Sequence, residues 1–258
     1  MIAEAIGPGK VLVVVPTYNE RHTIAEVVGR AISVPVRLDV LVVDDGSPDG
    51  TGKIAERLAS EHPEVHVLHR EKKSGLGPAY RAGFHWGLER GYEIFVEMDA
   101  DLSHDPGQLP ELVATAADEA DLVIGSRYVP EGRTENWPWH RRALSRGGNR
   151  YVQLVTGIPV HDATSGYRAF RRAVLEELGV ESLHSDGYSF QLETVLRAWR
   201  SGFHLQEVPI TFVERRAGAS KISRAIVFEA LWRVFVWGLK GPRRAGPMHP
   251  RSILANGA

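Results

Sequence analysis

The N-terminal part of the chain sets blocks of apolar residues between short polar interludes rather than alternating residue by residue. Residues 11–15 form an unbroken β-branched and aliphatic run closed by Pro16, the pattern of a strand buried on both faces in a parallel sheet. Apolar residues at helical spacing follow over 23–31. A second apolar run, 38–43, stops at Asp44, Asp45 and Gly46, and a helix is predicted over 49–58 with Asp49 or Thr51 as its N-cap. Residues 65–68 give a short third strand, 79–90 a helix after the glycine-bearing loop 73–78, and 93–98 a fourth strand. Farther on, 121–126 and 205–213 read as strands, and 144–156, 173–178 and 190–199 as helices.

This alternation predicts an α/β fold: a mostly parallel central sheet flanked by helices, with its ligand beyond the carboxyl ends of the strands. The polar segments 16–20, 44–47 and 99–104 each follow directly on an apolar strand, so their carboxylates gather along that edge. The expected division is an extension over 1–10, a main catalytic domain over 11–223, an interfacial helix over 224–242 and a disordered tail over 243–258. In that helix Ile226, Val227, Leu231, Val234, Phe235 and Leu239 make an apolar face with Trp232 and Trp237 at its edges, while Glu229 and Arg233 share the exposed face.

Composition narrows the class. With 258 residues, 43% hydrophobic and 24% charged, the chain can bury one large core. A formal net charge of −1 gives no sign of a nucleic-acid binder, which needs a basic face for the phosphate backbone. Basic residues do collect between Arg215 and Arg251, opposed only by Glu229, so that end suits an anionic surface. No run reaches the roughly 20 apolar residues of a bilayer span, and residues 1–10 do not read as a signal peptide. The absence of cysteine excludes disulfides and thiolate metal sites. The expected location is cytoplasmic, peripheral on the cytoplasmic face of a membrane.

Candidate chemistry starts with Asp99 and Asp101, whose spacing puts two carboxylates on one side of an extended chain just past the fourth strand. Such a pair can share a hard cation, Mg²⁺ or Mn²⁺, with the phosphate oxygens of a substrate; alone, the pattern is equally that of a solvated turn. Asp45 ends a different strand, where an aspartate accepts hydrogen bonds from a base or ribose, or else belongs to a turn and helix cap. The loop 73–78 lacks the third glycine of a dinucleotide fingerprint, Tyr80 standing in its place. It is read as backbone that approaches a ligand closely, or as a tight turn. Arg141 and Arg142 on their own read as a solvated helix start, and Gln191 and Glu193 as residues ordering the core beneath the site. Trp137 and Trp139 either border an entrance to the site or simply pack. The histidines show no metal-ligand spacing.

In order along the chain stand 15–20 (VPTYNE), 43–51 (VDDGSPDGT), 75–77 (GLG), 98–104 (MDADLSH) and 125–128 (GSRY), and in these the chain resembles the family 2 glycosyltransferases. More narrowly, 135–137 (ENW), Arg141 and Arg142 with 145–147 (SRG), 164–168 (TSGYR), 187–191 (GYSFQ) with Glu193, and 212–215 (FVER) with Ser220 and Lys221 resemble the dolichol- and polyprenol-phosphate mannose synthases. The resemblance implies a GT-A type nucleotide-diphospho-sugar transferase fold and an inverting transfer of mannose from GDP-mannose to polyprenyl phosphate. A polyprenyl-phosphate glucosyltransferase using UDP-glucose is the alternative. The resemblance further implies donor binding by Pro16, Tyr18, Glu20, Val43, Asp45, Asp99, Ala100, Asp101, Arg215 and Lys221. It assigns the metal to Asp99 and Asp101 with Ser103 at the place of a third ligand, and the acceptor phosphate to Arg127, Arg141 and Ser145. Asp101, Arg127, Arg141 and Ser145 would then carry the reaction. Ser103 stands where some relatives have glutamine, and Ala219 where many have glutamate. Expected partners are GDP-mannose, polyprenyl phosphate, a membrane surface and a separate membrane-anchoring protein.

Overall fold

The computed structural model describes residues 11–183, 185, 187–214 and 224–239, without the side chains of Tyr188 and of 224–230. Arg215 and Lys221, the expected extension over 1–10 and the expected tail over 243–258 lie outside the described residues. In chain order the elements are β1 (Val11–Thr17), α1 (Ile24–Ile32), β2 (Asp39–Asp44), α2 (Thr51–Glu61), β3 (Val65–His69), α3 (Leu76–Glu89), β4 (Ile94–Glu97) and α4 (Leu109–Asp118). There follow β5 (Leu122–Ser126), β6 (Arg133–Glu135), α5 (Trp139–Thr156), β7 (Arg168–Arg171), α6 (Arg172–Leu178), α7 (Gly187–Arg200), β8 (Leu205–Pro209), β9 (Thr211–Val213) and α8 (Arg224–Leu239).

Seven strands make the central sheet in the order β3-β2-β1-β4-β7-β5-β8, with β7 antiparallel to both its neighbours. The unbroken apolar runs fill both faces of this sheet. Leu12, Val14, Leu41 and Val43 point into the layer formed with α3 and α5 to α8, and Val11, Val13, Val15, Val40 and Val42 into the layer formed with α1, α2 and α4. Helix α3 lies close on the sheet because it presents glycines there. A Cβ on Gly83 would stand 2.4 Å from Val14 Cγ1, and one on Gly87 2.5 Å from Phe95 Cε1.

Several expectations shift. The helix predicted over 79–90 begins at Leu76, because Pro78 in a first turn has no N–H to leave unsatisfied. Gly50, in the left-handed region at φ 93°, precedes α2, and Asp49 Oδ1 accepts from Thr51 N at 3.0 Å, so the capping carboxylate is Asp49. The run 205–213 is two strands: β8 pairs with β5, whereas β9 leaves the main sheet and pairs with β6. Helix α8 packs on α5 and α7, burying Val234 in the core. Arg233, expected on the outer face with Glu229, is partly buried instead and donates to Ser185 Oγ at 3.0 Å, since α8 is covered on that side. Among the described residues no helix is long and apolar enough to cross a membrane.

Candidate active site

The parallel strands β1, β2 and β4 end along one edge, and this brings the segments 16–20, 44–47 and 99–104 together. Asp44 accepts from Thr17 Oγ1 at 3.2 Å and from Ser47 Oγ at 2.5 Å. Asp45 accepts from Arg70 Nη1 at 2.5 Å and from Ser74 N at 3.0 Å, so this buried carboxylate fixes the loop after β3. Gly46 makes the turn that follows them at φ 70°, where a Cβ would press to 3.2 Å from Glu71 O. Lys73 Nζ lies 4.1 Å over the Tyr18 ring, and Glu20 N donates to Thr51 Oγ1 at 2.9 Å. Pro16, Tyr18, Glu20, Val43 and Asp45 thus stand at or just inside one edge of the sheet.

Asp99 and Asp101 follow β4 directly. Ser103 N donates to Asp101 Oδ1 at 3.0 Å, and Asp99 N donates to His104 Nδ1 at 3.1 Å, which assigns the His104 proton to Nε2. His104 is buried and stacks on Tyr167 at 4.8 Å. Burial lowers its pKa to about 4 against the opposing pull of Asp101, so the ring is neutral near pH 7. Among the described residues no three His, Cys, Asp or Glu side chains converge for a metal. A cation on Asp99 and Asp101 would therefore complete its shell with substrate or water oxygens, as Mg²⁺ and Mn²⁺ commonly do. Ser103 Oγ, buried beside them with no hydrogen-bond partner among the described residues, adds a further hard oxygen donor. The residues present fit such a cation.

Beneath this loop lies a polar layer. Glu97 is fully buried directly opposite Arg168 in the antiparallel register of β4 and β7. Burial raises its pKa to about 7, with Arg168 and then Gln191 pulling it down. Arg168 gives its donors to the carbonyls of Ser165, Gln191 and Ala163 and to Thr194 Oγ1. Gln191 comes near enough to Glu97 to act on its charge, yet no contact meets hydrogen-bond geometry, and both amide atoms lack a partner among the described residues. Gly166 lies between this layer and the site: a Cβ there would be in ordinary contact with His104 Cε1 at 3.6 Å, Gln191 Nε2 at 3.8 Å and Asp99 Oδ2 at 4.0 Å.

The residues expected at the acceptor phosphate stand on the other side of His104. Arg127 is buried and forks onto Asp162, with Nε 2.7 Å from Oδ2 and Nη2 2.6 Å from Oδ1, while its backbone N donates to Oδ2 at 3.0 Å. Burial would raise the Asp162 pKa, but the charge and hydrogen bonds of Arg127 outweigh it and hold the carboxyl below its ordinary value. The Arg127 guanidinium faces Trp137 at 5.2 Å, Tyr128 at 5.4 Å and Phe212 at 5.4 Å. Tyr128 Oη donates to Ser145 Oγ at 2.7 Å. Arg141 lies 4.4 Å over the Trp137 ring and pairs with Glu214. Val213 N in turn donates to Ser103 O at 3.2 Å, so β9 ties Glu214 and Arg141 to the Asp99–Asp101 loop. Arg141 is thereby tied to the carboxylate loop, Arg127 shares the Trp137 ring with it, and Ser145 is held by Tyr128 beside Arg127. Trp137 is packed inside this cluster and Trp139 is exposed. Sequence reasoning did not find Asp162 or Glu97. Glu97 left a signal, an acid inside an apolar strand; Asp162, paired across 35 positions, left none.

Residues 12–179 match glycosyl transferase family 2. The chain is 51% identical over 233 residues to a polyprenol monophosphomannose synthase of Mycolicibacterium smegmatis, covering 90% of this chain and 88% of that one. It is likewise 51% identical over 230 residues to an undecaprenyl-phosphate mannosyltransferase of Micrococcus luteus, covering 89% and 94%. A solved mannosyltransferase of Pyrobaculum calidifontis, in complex with GDP-Man and Mn²⁺, shares the fold with a TM-score of 0.61 at 22% identity, over 95% of this chain and 68% of that one. With its GT-A type sheet and the motif residues assembled along one edge, the chain belongs to glycosyl transferase family 2, among the polyprenol-phosphate mannose synthases.

Proposed function

We propose that the chain transfers mannose from GDP-mannose to the phosphate of a polyprenyl lipid, giving polyprenyl phosphate mannose with inversion at the anomeric carbon. The observation that carries this reading is the link between two sets of groups: Asp99 and Asp101, suited to a metal and diphosphate, and Arg141, suited to a second phosphate and tied to their loop through Glu214 and β9, with Ser145 on the same helix. The names of the relatives at 51% identity supply the sugar and the lipid.

Pro16, Tyr18, Glu20, Val43 and Asp45 would hold the nucleoside, with Asp45 keeping the 70–74 loop in place through Arg70 and Ser74. Asp99, Ala100 and Asp101, with Ser103 beside them, would hold Mg²⁺ or Mn²⁺ and the diphosphate; Arg215 and Lys221 would add positive charge to the donor phosphates. The cation, when bound, supplies Lewis-acid stabilisation of the departing diphosphate. A phosphate monoester, with a second pKa of about 6, is largely dianionic near neutrality and needs no strong general base. The work of the protein is then positioning and charge neutralisation. Arg141 would exchange Glu214 for the acceptor phosphate, Ser145 would donate its hydroxyl, and Arg127, held by Asp162, would keep Trp137 and Tyr128 in place behind them. In-line attack on an α-linked donor gives a β-linked product.

Calorimetric titration of GDP and UDP, with and without Mn²⁺, tests the donor half. GDP should bind more tightly than UDP and lose affinity on chelation of the metal. Tighter binding of UDP would turn the reading toward a glucosyl donor, and metal-independent binding would remove the cation from Asp99 and Asp101.

A further inference from the structure

Helix α5 opens with positive charge. Its first turn carries Arg141 and Arg142 and no acidic residue, at the end where the helix dipole is itself positive, so an anion is favoured there. The chain supplies that anion from far away in sequence: Glu214, just past β9, pairs with Arg141 across 73 positions. The two side chains are only 20% and 28% exposed, and Arg141 lies over the ring of the buried Trp137, so the pair is sheltered from the water that makes exposed pairs weak.

The backbone around Glu214 reaches the other half of the site. Glu214 N donates to Glu135 O at 3.1 Å, and Val213 N, one residue earlier, donates to Ser103 O in the loop of Asp99 and Asp101. One residue later in the chain comes Arg215, proposed for the donor phosphates. A segment of three residues therefore joins the carboxylate loop, the acceptor arginine and a donor-side cation.

We propose that Glu214 is a positioning residue that acts through Arg141 and sets the order of binding. Its carboxylate stands in for the acceptor phosphate and is withdrawn when the donor diphosphate binds. Before that, an incoming phosphate must compete with the chain's own anion for Arg141, and an acceptor that arrives first binds weakly. Donor phosphates that draw Arg215 and the 99–103 loop toward them shift the end of β9, part Glu214 from Arg141 and leave the guanidinium to the second substrate. Stacking on Trp137 keeps that guanidinium in place through the exchange. Linkage makes the effect mutual, so an acceptor held by Arg141 favours the donor by the same factor. The inference rests on the acceptor role proposed for Arg141, and the two fail separately.

Calorimetric titration of the whole chain with geranyl phosphate, a water-soluble isoprenyl phosphate, tests the coupling with and without saturating GDP and Mn²⁺. Wild type should bind geranyl phosphate about 5–10-fold more tightly in the presence of GDP and Mn²⁺, and GDP should tighten by the same factor in the presence of geranyl phosphate. Glu214→Gln, with an unchanged circular dichroism spectrum, should bind geranyl phosphate tightly in both states, so that the coupling factor falls to about one. In an Arg141→Ala background the same substitution should change nothing. Wild type without coupling overturns the proposal whether or not the variants fold. So does Glu214→Gln that keeps the full coupling, or that binds geranyl phosphate more weakly than wild type, since Glu214 would then only support Arg141. If Arg141→Ala weakens geranyl phosphate binding while Glu214→Gln keeps the coupling, the acceptor reading stands and the role of Glu214 alone is lost. If Arg141→Ala leaves geranyl phosphate affinity unchanged, the acceptor reading falls and the role of Glu214 with it.

Discussion

Asp162→Asn removes the charge that neutralises Arg127 while keeping the shape of the side chain. The pair is buried on both sides, and the carboxylate also takes Asn149 Nδ2 at 3.3 Å and Thr164 Oγ1 at 3.3 Å, so the substitution takes the Asp162 countercharge from a buried guanidinium inside a ring of aromatics. Breaking a buried pair from one side costs about 3–5 kcal/mol. With an m-value of about 3 kcal/mol/M, the urea midpoint should fall by about 1 M or more at pH 7, with the slope unchanged. The pH dependence has a definite sign. The folded pKa of Asp162 lies below its unfolded value of about 3.9, so its contribution is complete above that pH and is lost as the pH falls through the folded pKa. Wild type should therefore lose stability in acid faster than the variant, and the gap between them should narrow below about pH 4. Urea melts followed by tryptophan fluorescence at several pH values measure both effects. Midpoints within about 0.2 M at pH 7, or a gap that persists unchanged in acid, would refute the reasoning.

Asp101→Ala should lower turnover on the order of 10²–10³-fold with the circular dichroism spectrum unchanged, because charge stabilisation of the departing group is lost; wild-type turnover would remove the metal assignment. Arg141→Ala should raise the Michaelis constant for the lipid phosphate or lower turnover while leaving GDP affinity nearly as it was; loss of GDP affinity with normal acceptor kinetics would move Arg141 to the donor side. Gly83→Ala should destabilise the fold by about 1–3 kcal/mol, since the added Cβ meets Val14 in a packed layer, and an unchanged thermal midpoint would show that α3 can lift from the sheet.

The sheet was legible where burial on both faces wrote itself as apolar runs: β1, β2, β3 and β4 lie where those runs stand. Strand β7 was not, because its sequence, Arg168-Ala-Phe-Arg171, has arginine at both ends. Arg168 is buried only because the carbonyls of Ser165, Ala163 and Gln191 surround it, which no local pattern announces. Helix α4 was not among the predicted elements, although the Pro110 that opens it is tolerated in a first turn. The carboxylate edge was legible because polar residues at strand ends converge whenever the strands are parallel. The engagement of its arginines was not. Arg127 with Asp162 and Arg141 with Glu214 are pairings across 35 and 73 positions, set by how β5, α5 and β9 fold back on one another.

The central claim is tested most directly by incubating the purified chain with polyprenyl phosphate and either GDP-mannose or UDP-glucose, each with Mg²⁺, with Mn²⁺ and with a chelator, and identifying the lipid product and its anomeric configuration by NMR. The account predicts β-linked mannosyl phosphate lipid from GDP-mannose, formed only with a divalent metal. Preferential transfer from UDP-glucose, an α-linked product, or undiminished transfer in the chelator would contradict it.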